Sequence, residues 1–368
     1  MQSGDILQGD HFPPLPMRLE PPVFGALPAG NRLERIIGSP NYRDGTFQNP
    51  VKSSTMLSGS LMESLKRQFL GKEERVPHGH VPVVTLSRGA FDIPPASGLR
   101  VTWMGHSSVL IEIDGSRVLV DPVWGKRASP SQLVGPKRFH PTPIALADLP
   151  PLDAVIITHD HYDHLDMHAV RALLRSPAQQ RVQWVTTLGV GAHLERWKVP
   201  VPRITELDWG DAALVGSLRM TAQPARHFSG RTLVRDRTLW ASWVIAGPEH
   251  RVFHSGDTGY FDALADIGTR HGPFDLTMIK IGAYGESWPD IHLDPEQAVR
   301  VHGMLGGRVL LPIHWGTFNL AFHAWTEPPE RLLAAAEPLG MQVVIPTPGQ
   351  FVEPAVLPPI DRWWSRVG

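Results

Sequence analysis

The run Thr158-His159-Asp160-His161-Tyr162-Asp163-His164 sets three imidazoles and the Asp163 carboxylate within six positions. It follows the apolar stretch Asp153-Ala154-Val155-Ile156-Ile157. A loop at the end of a buried strand can turn such side chains onto one point. Neutral imidazole nitrogen and carboxylate oxygen are the donors a borderline cation such as zinc prefers. Packing gives no reason to crowd these groups beside a core strand, where burying them unpaired is costly. The plain alternative is a histidine-rich surface loop, so the H-x-H-x-D-H spacing needs support from context.

A two-metal centre needs further donors, and three lie at the ends of apolar runs. His227 follows the run 218–225 and precedes Phe228-Ser229-Gly230. Asp257 sits in His254-Ser255-Gly256-Asp257-Thr258-Gly259, directly after Arg251-Val252-Phe253. His314 ends Leu310-Leu311-Pro312-Ile313-His314. Loops at the ends of core strands are where α/β proteins carry functional groups. A lone strand-end histidine is more often structural; four such sites in order, each with ligand chemistry, point to a metal centre. His292 stands apart. It precedes Asp294-Pro295-Glu296-Gln297, which reads as an N-cap, a proline at the first helical position and a capping-box glutamine. The start of a helix favours anions, so His292 could bind a phosphoryl group or protonate a leaving oxygen. Its plain alternative is an exposed linker histidine.

Charge and composition narrow the function classes. With 35 Lys plus Arg against 36 Asp plus Glu, no global field favours nucleic acid. There is no cysteine, which excludes disulfides and leaves His, Asp and Glu as metal donors. The 368 residues, 42% hydrophobic, can bury a large core. Met1 to Asp10 lacks the basic and apolar regions of a secretory signal. No stretch reaches the ~20 apolar residues of a membrane span. The expected location is cytoplasmic, with peripheral membrane contact open to it.

The elements that must position these groups follow from the pattern. Residues 1–55, with Pro13, Pro14, Pro16, Pro21, Pro22 and Pro28, read as an extended surface wrap. Leu57, Leu61, Leu65 and Phe69 mark a short amphipathic helix over 57–70, either packed on the main domain, or a lid, or a lipid-facing element. Val101–Ile113 and Val118–Val120 read as strands joined through Asp114-Gly115. Further strands are expected at 182–186, 203–207, 217–222, 239–246, 251–254, 275–281, 308–313 and 342–345. Helices are expected at 166–174, 260–270, 294–305 and 328–337. Hairpins early and strand–helix alternation later suggest two packed sheets with outer helices. The division expected is an extension over 1–97 and a catalytic domain over 98–368. The closing Trp363-Trp364 reads as a packing anchor.

These residues also carry a family resemblance. The chain resembles metallo-β-lactamase-fold hydrolases, and among them N-acylphosphatidylethanolamine-hydrolysing phospholipases D. The matching segments are TWMGHSSVLIEIDG, DPVWGKRASPSQLVGPKRF, LPPLDAVIITHDHYDHLD, GDTGY, GPFDLTMIKIGAY, HLDPEQAVRVH and IHWGTF, spread over roughly 98–350, with an echo at Phe47-Gln48-Asn49-Pro50. The resemblance implies an α+β, four-layer αββα sandwich with two zinc ions between the sheets. It assigns His159, His161 and His227 to one ion, Asp163, His164 and His314 to the other, and Asp257 to both. His292 would lie near the substrate phosphate, and Gln132 would line the substrate pocket. Leu133 stands where the family has an aromatic residue. His106 would support a metal ligand. A homodimer is also implied.

The expected reaction is phosphodiester hydrolysis by a hydroxide bridging the two metals. An N-acylphosphatidylethanolamine-like phospholipid would yield phosphatidate and an N-acylethanolamine. In this scheme Asp163, Asp257 and His292 serve catalysis, and Gln132, Leu133 and His292 contact the substrate. Two alternatives stand beside it. One is a lactonase or other carbonyl hydrolase on the same fold, motivated by Leu133. The other is a non-catalytic metal-binding module.

Overall fold

Along the strands, alternate side chains fall into the space between two sheets, and this sandwich frames the metal-type residues. The computed structural model describes residues 21–57 and 59–367, without the side chains at 61, 63, 65 and 69. Pro13, Pro14, Pro16 and the stretch Met1–Asp10 lie outside the described residues. A small hairpin comes first, β1 (Tyr42–Arg43) with β2 (Thr46–Phe47). One sheet holds β3 (Leu99–Gly105), β4 (Ser108–Ile113), β5 (Ser116–Val120), β6 (Ala154–Ile157), β7 (Gln183–Thr187) and β8 (Ile204–Leu207). The other holds β9 (Ala212–Val215), β10 (Leu218–Gln223), β11 (Ser242–Ala246), β12 (Arg251–His254), β13 (Phe274–Lys280), β14 (Gly307–Ile313) and β15 (Gln342–Val343). The last strand, β16 (Phe351–Val352), returns beside β3. The strand orders are β16-β3-β4-β5-β6-β7-β8 and β15-β14-β13-β12-β11-β10-β9. Both sheets are mixed. The first turns from antiparallel to parallel at β5 and the second at β12.

Period-two alternation sorts the core. Val109, Ile111, Val118, Val120, Ala154 and Ile156 face the other sheet's Met220, Ala222, Trp243 and Met278. Their neighbours Leu110, Leu119, Val155 and Ile157 face outward onto Val170 and Leu173 of α3 (Met167–Arg175). Each such fully buried aliphatic side chain contributes about 1.5–3 kcal/mol. Strands buried on both faces need continuous apolar runs, which is why Ala154–Ile157 has no polar position. On the second sheet, α5 (Leu264–His271), α6 (Pro295–Met304) and α7 (Glu327–Ala336) supply Leu264, Ala298, Val301 and Leu333 to the core. Asp166 caps α3 by accepting from the His168 amide, and Asp294 with Gln297 forms the expected capping box on α6. Trp363 and Trp364 are buried, Trp363 stacking on Trp315 and Trp315 on Trp103, so these tryptophans act in packing.

The sequence pattern missed some boundaries. The strand expected over 101–113 is two strands, because the chain reverses at His106-Ser107 with His106 at φ 54°. Strands β9 and β16 were not expected. Helices α1 (Asn31–Ile37) and α4 (Gly191–Arg196) were likewise not expected; α4 opens on glycine, a poor helix former. The amphipathic helix is present as α2 (Ser60–Leu70), with Leu57 ahead of it and half exposed.

Candidate metal centre

The strand ends feed one point. After β6 the backbone presents His159 to His164, after β10 His227, after β12 Asp257 and after β14 His314. His314 takes φ 62° and Asp121, just past β5, φ 43°. A left-handed turn on a residue with a Cβ costs roughly 1–2 kcal/mol, and here it turns both side chains inward. The preceding residue is equally constrained at Asp257. Gly256 has φ 52°, and a Cβ there would lie 2.7 Å from the Ala241 carbonyl oxygen.

The seven side chains converge. His159 Nε2 lies 2.9 Å from His161 Nδ1, which lies 3.3 Å from His227 Nε2. On the other side, Asp163 Oδ2 is 3.5 Å from His314 Nε2 and 3.6 Å from His164 Nε2. Asp257 Oδ2 spans the two groups, 2.9 Å from His314 Nε2, 3.3 Å from His164 Nε2 and 3.7 Å from His227 Nε2. His159, His161 and His227 could hold a metal ion, as could Asp163, His164 and His314 together with His106. Several of these atoms are buried without a hydrogen-bond partner: His164 Nε2, His314 Nε2 and Asp257 Oδ1. An unsatisfied buried polar atom costs about 1–3 kcal/mol. Several in one place, all of lone-pair type when the imidazoles are neutral, fit a shared cation.

Outer hydrogen bonds decide which ring nitrogen points inward. His227 Nδ1 donates to the Ile291 carbonyl at 3.0 Å, and His159 Nδ1 lies 2.9 Å from Thr158 Oγ1. His164 Nδ1 donates to Asp121 Oδ2 at 2.7 Å. Asp121 is fully buried and also accepts from the Thr158 amide and hydroxyl. His106 Nε2 lies 3.0 Å from Asp163 Oδ2. Asn49, in the N-terminal segment, accepts from the His227 amide at 2.8 Å and donates to its carbonyl at 2.7 Å. Asp121 and Asn49 were not singled out from sequence. Asp121 had a usable signal, since it ends an apolar strand as the ligand-type residues do. Asn49 lies in the echo Phe47-Gln48-Asn49-Pro50, but its partner is 178 positions away, so its role could not be read there.

Electrostatics match lone-pair donors. Burial holds His159 well below its ordinary pKa and His227 down to about 3, so both are neutral at pH 7. Burial alone would raise the Asp257 carboxyl, but the His314 and His164 imidazoles outweigh it and hold it well below the usual carboxylate range. Burial likewise acts against the His164 cation, yet Asp257, Asp163 and Asp121 lift its pKa well above 6.5. A cation at this place therefore competes with the His164 proton.

His292 joins the cluster, its Nδ1 4.0 Å from Asp257 Oδ2, and borders a cavity of about 310 Å³ with Tyr284, His323 and Arg331. It is largely buried rather than an exposed linker residue. Gln132 and Leu133 do not join it. Both polar atoms of the Gln132 amide bond the backbone of Arg127, and Leu133 is 85% exposed. Asp160, inside the histidine run, points away and accepts from Gly230, Thr238 and His193.

Comparison with known proteins bears on the family and the fold. A model of the beta-lactamase superfamily domain matches residues 116–315. The chain belongs to that superfamily and is a metal-dependent hydrolase of the metallo-β-lactamase fold. N-acyl-phosphatidylethanolamine-hydrolyzing phospholipase D 1 of Caenorhabditis elegans is 34% identical over 78% of this chain and 85% of its own. An uncharacterized protein of Mycobacterium tuberculosis is 50% identical over 89% of this chain and 87% of its own. Among solved structures, Igni18, a metallo hydrolase of Ignicoccus hospitalis, superposes with a TM-score of 0.53 at 24% identity, over 69% of this chain and 97% of its own.

Proposed function

We propose that the protein is a zinc-dependent phosphodiesterase of the phospholipase D type, acting on N-acylphosphatidylethanolamine-like phospholipids. His159, His161 and His227 would hold one zinc ion, Asp163, His164 and His314 a second, and Asp257 would reach both. Bound there, zinc supplies Lewis acidity toward a phosphoryl oxygen and makes water acidic enough to react near neutral pH. The chain's own groups do the rest. Asp121, Thr158 and the Ile291 carbonyl keep the ligand nitrogens aimed inward. Burial and the nearby Lys280 hold His292 neutral, so it serves as a hydrogen-bond donor to a phosphoryl oxygen rather than as an acid.

The observation that carries this reading is the convergence of the seven ligand-type side chains, in a chain 34% identical to a phospholipase D of this kind. A cavity of about 790 Å³ beside α2, lined by Val76, Lys137, Phe139, Leu320 and Phe322, offers apolar walls with a cation, as a phospholipid needs. Met62 and Leu70 on α2 are 74% and 71% exposed next to Lys66, which supports peripheral contact with a membrane. No described helix is long and apolar enough to cross one. The reading includes a homodimer.

The test is incubation with mixed phospholipids and mass spectrometry of the released alcohols, with and without a chelator. Chelator-sensitive release of N-acylethanolamine supports the reading. Turnover of lactones alone overturns it in favour of carbonyl hydrolysis, the second reading, for which Gln132 held in its own loop and Leu133 exposed to solvent speak.

A further inference from the structure

Lys280, the last residue of β13, has no exposed surface at all. Burying an ammonium group without a carboxylate partner is unfavourable, and Lys280 forms no ion pair within 4 Å among the described residues. Its Nζ instead donates to two backbone carbonyls, Gly282 at 2.7 Å and Leu293 at 3.1 Å. Leu293 directly follows His292 and precedes the Asp294 cap of α6. The peptide groups flanking His292 are held on three sides. The Ile291 carbonyl accepts from His227 Nδ1, the Leu293 amide donates 2.9 Å to the Thr258 carbonyl, and the Leu293 carbonyl accepts from Lys280. Two of these anchors belong to strand-end loops that carry His227 and Asp257. Lys280 is the third, and it joins the loop after β13 to the start of α6.

We propose that Lys280 is a positioning residue, fixing the His292 imidazole over the candidate metal centre by clamping the carbonyls of Gly282 and Leu293. The clamp works in either protonation state, because a neutral amine still has two N–H donors for two acceptors. This matters, since burial pushes the Lys280 amine down to about 7. Methionine at this position would fill similar space with no donor and leave two buried carbonyls unpaired. The segment from Gly282 to Leu293 would then be free to shift, and a displacement of about 1 Å at a substrate-contacting group can lower turnover ~100-fold.

The inference rests on the proposed role of His292, and its test separates the two. In metal-loaded Lys280→Met, the His292 imidazole resonances, assigned by comparison with His292→Ala, should shift or broaden while metal content stays at the wild-type level. On a phosphodiester substrate, kcat should fall about 10–100-fold with KM within about twofold. In the His292→Ala background, adding Lys280→Met should change kcat less than about twofold. Lys280→Gln, which retains one donor group, should fall between wild type and methionine; it also replaces methionine as the test variant if the latter does not fold. Unchanged His292 resonances overturn the inference, as does a loss that multiplies that of His292→Ala. Shifted resonances in an enzyme that cleaves no phosphodiester uphold the clamp and refute the proposed function instead.

Discussion

Asp121→Asn tests how the centre is built. The wild-type carboxylate accepts three hydrogen bonds and donates none: from the Thr158 amide at 2.8 Å, the Thr158 hydroxyl at 2.7 Å and His164 Nδ1 at 2.7 Å. An asparagine amide has one accepting oxygen and one donating nitrogen. If its oxygen stays on the Thr158 amide, its NH2 faces His164 Nδ1. The imidazole must then protonate Nε2, the nitrogen needed for the metal. If the amide is reversed, its NH2 opposes the Thr158 N–H and leaves a buried donor unpaired, at about 1–3 kcal/mol. Either way the group held by Asp163, His164 and His314 should lose metal affinity by about 10–100-fold, or ~1.4–2.7 kcal/mol. The group held by His159, His161 and His227 should be nearly unaffected. Competition titration with a chromophoric chelator resolves the two sites. Equal affinities at both sites in wild type and variant would refute the argument that Asp121 sets the His164 tautomer.

Other outcomes follow from the same geometry. Asp257→Asn should remove hydrolysis and most metal loading while circular dichroism stays native; full turnover would contradict its place between the two groups. Gly282→Ala puts a Cβ 2.2 Å from the His314 carbonyl oxygen, so it should weaken metal binding and lower stability by about 1–3 kcal/mol, read by thermal melts of the metal-free protein. Metal binding at pH 7 should release a proton from His164, whose pKa is raised in the folded protein, so affinity falls as pH falls. Calorimetry in buffers of different ionisation enthalpy measures that proton. His302 is buried and its pKa is depressed to about 4. The unfolded chain binds its proton below ~6.5 and the folded chain does not, so this residue costs stability as pH falls from about 6.5 to 4, roughly 1.4 kcal/mol per unit. His302→Gln should flatten that slope in urea melts at pH 5 and 7.

The ligand-type side chains were easier to pick out in the sequence than the boundaries of the elements around them. His159 to His164 are adjacent in the chain, and His227, Asp257 and His314 each close an apolar run, so a one-dimensional pattern marks them. The partners that aim them are different. The Ile291 carbonyl that accepts from His227 is a backbone group, and Asn49 reaches its partner across 178 positions. Backbone acceptors leave no mark on residue identity. The same holds for Lys280, which looks like an ordinary charge at the end of a strand until its burial is seen. The strand expected over 101–113 failed for a local reason: Gly105 and His106, both at positive φ, turn the chain between two apolar runs. Gln132 and Leu133 were placed at the substrate by resemblance alone; in the structure the Gln132 amide bonds the Arg127 backbone.

Anomalous diffraction at the zinc edge, from crystals of protein loaded with zinc, tests the centre most directly. Two peaks are expected, one among His159, His161 and His227, the other among Asp163, His164 and His314, with the Asp257 carboxylate between them. A single peak away from these side chains, or none in protein that still turns over substrate, would contradict it.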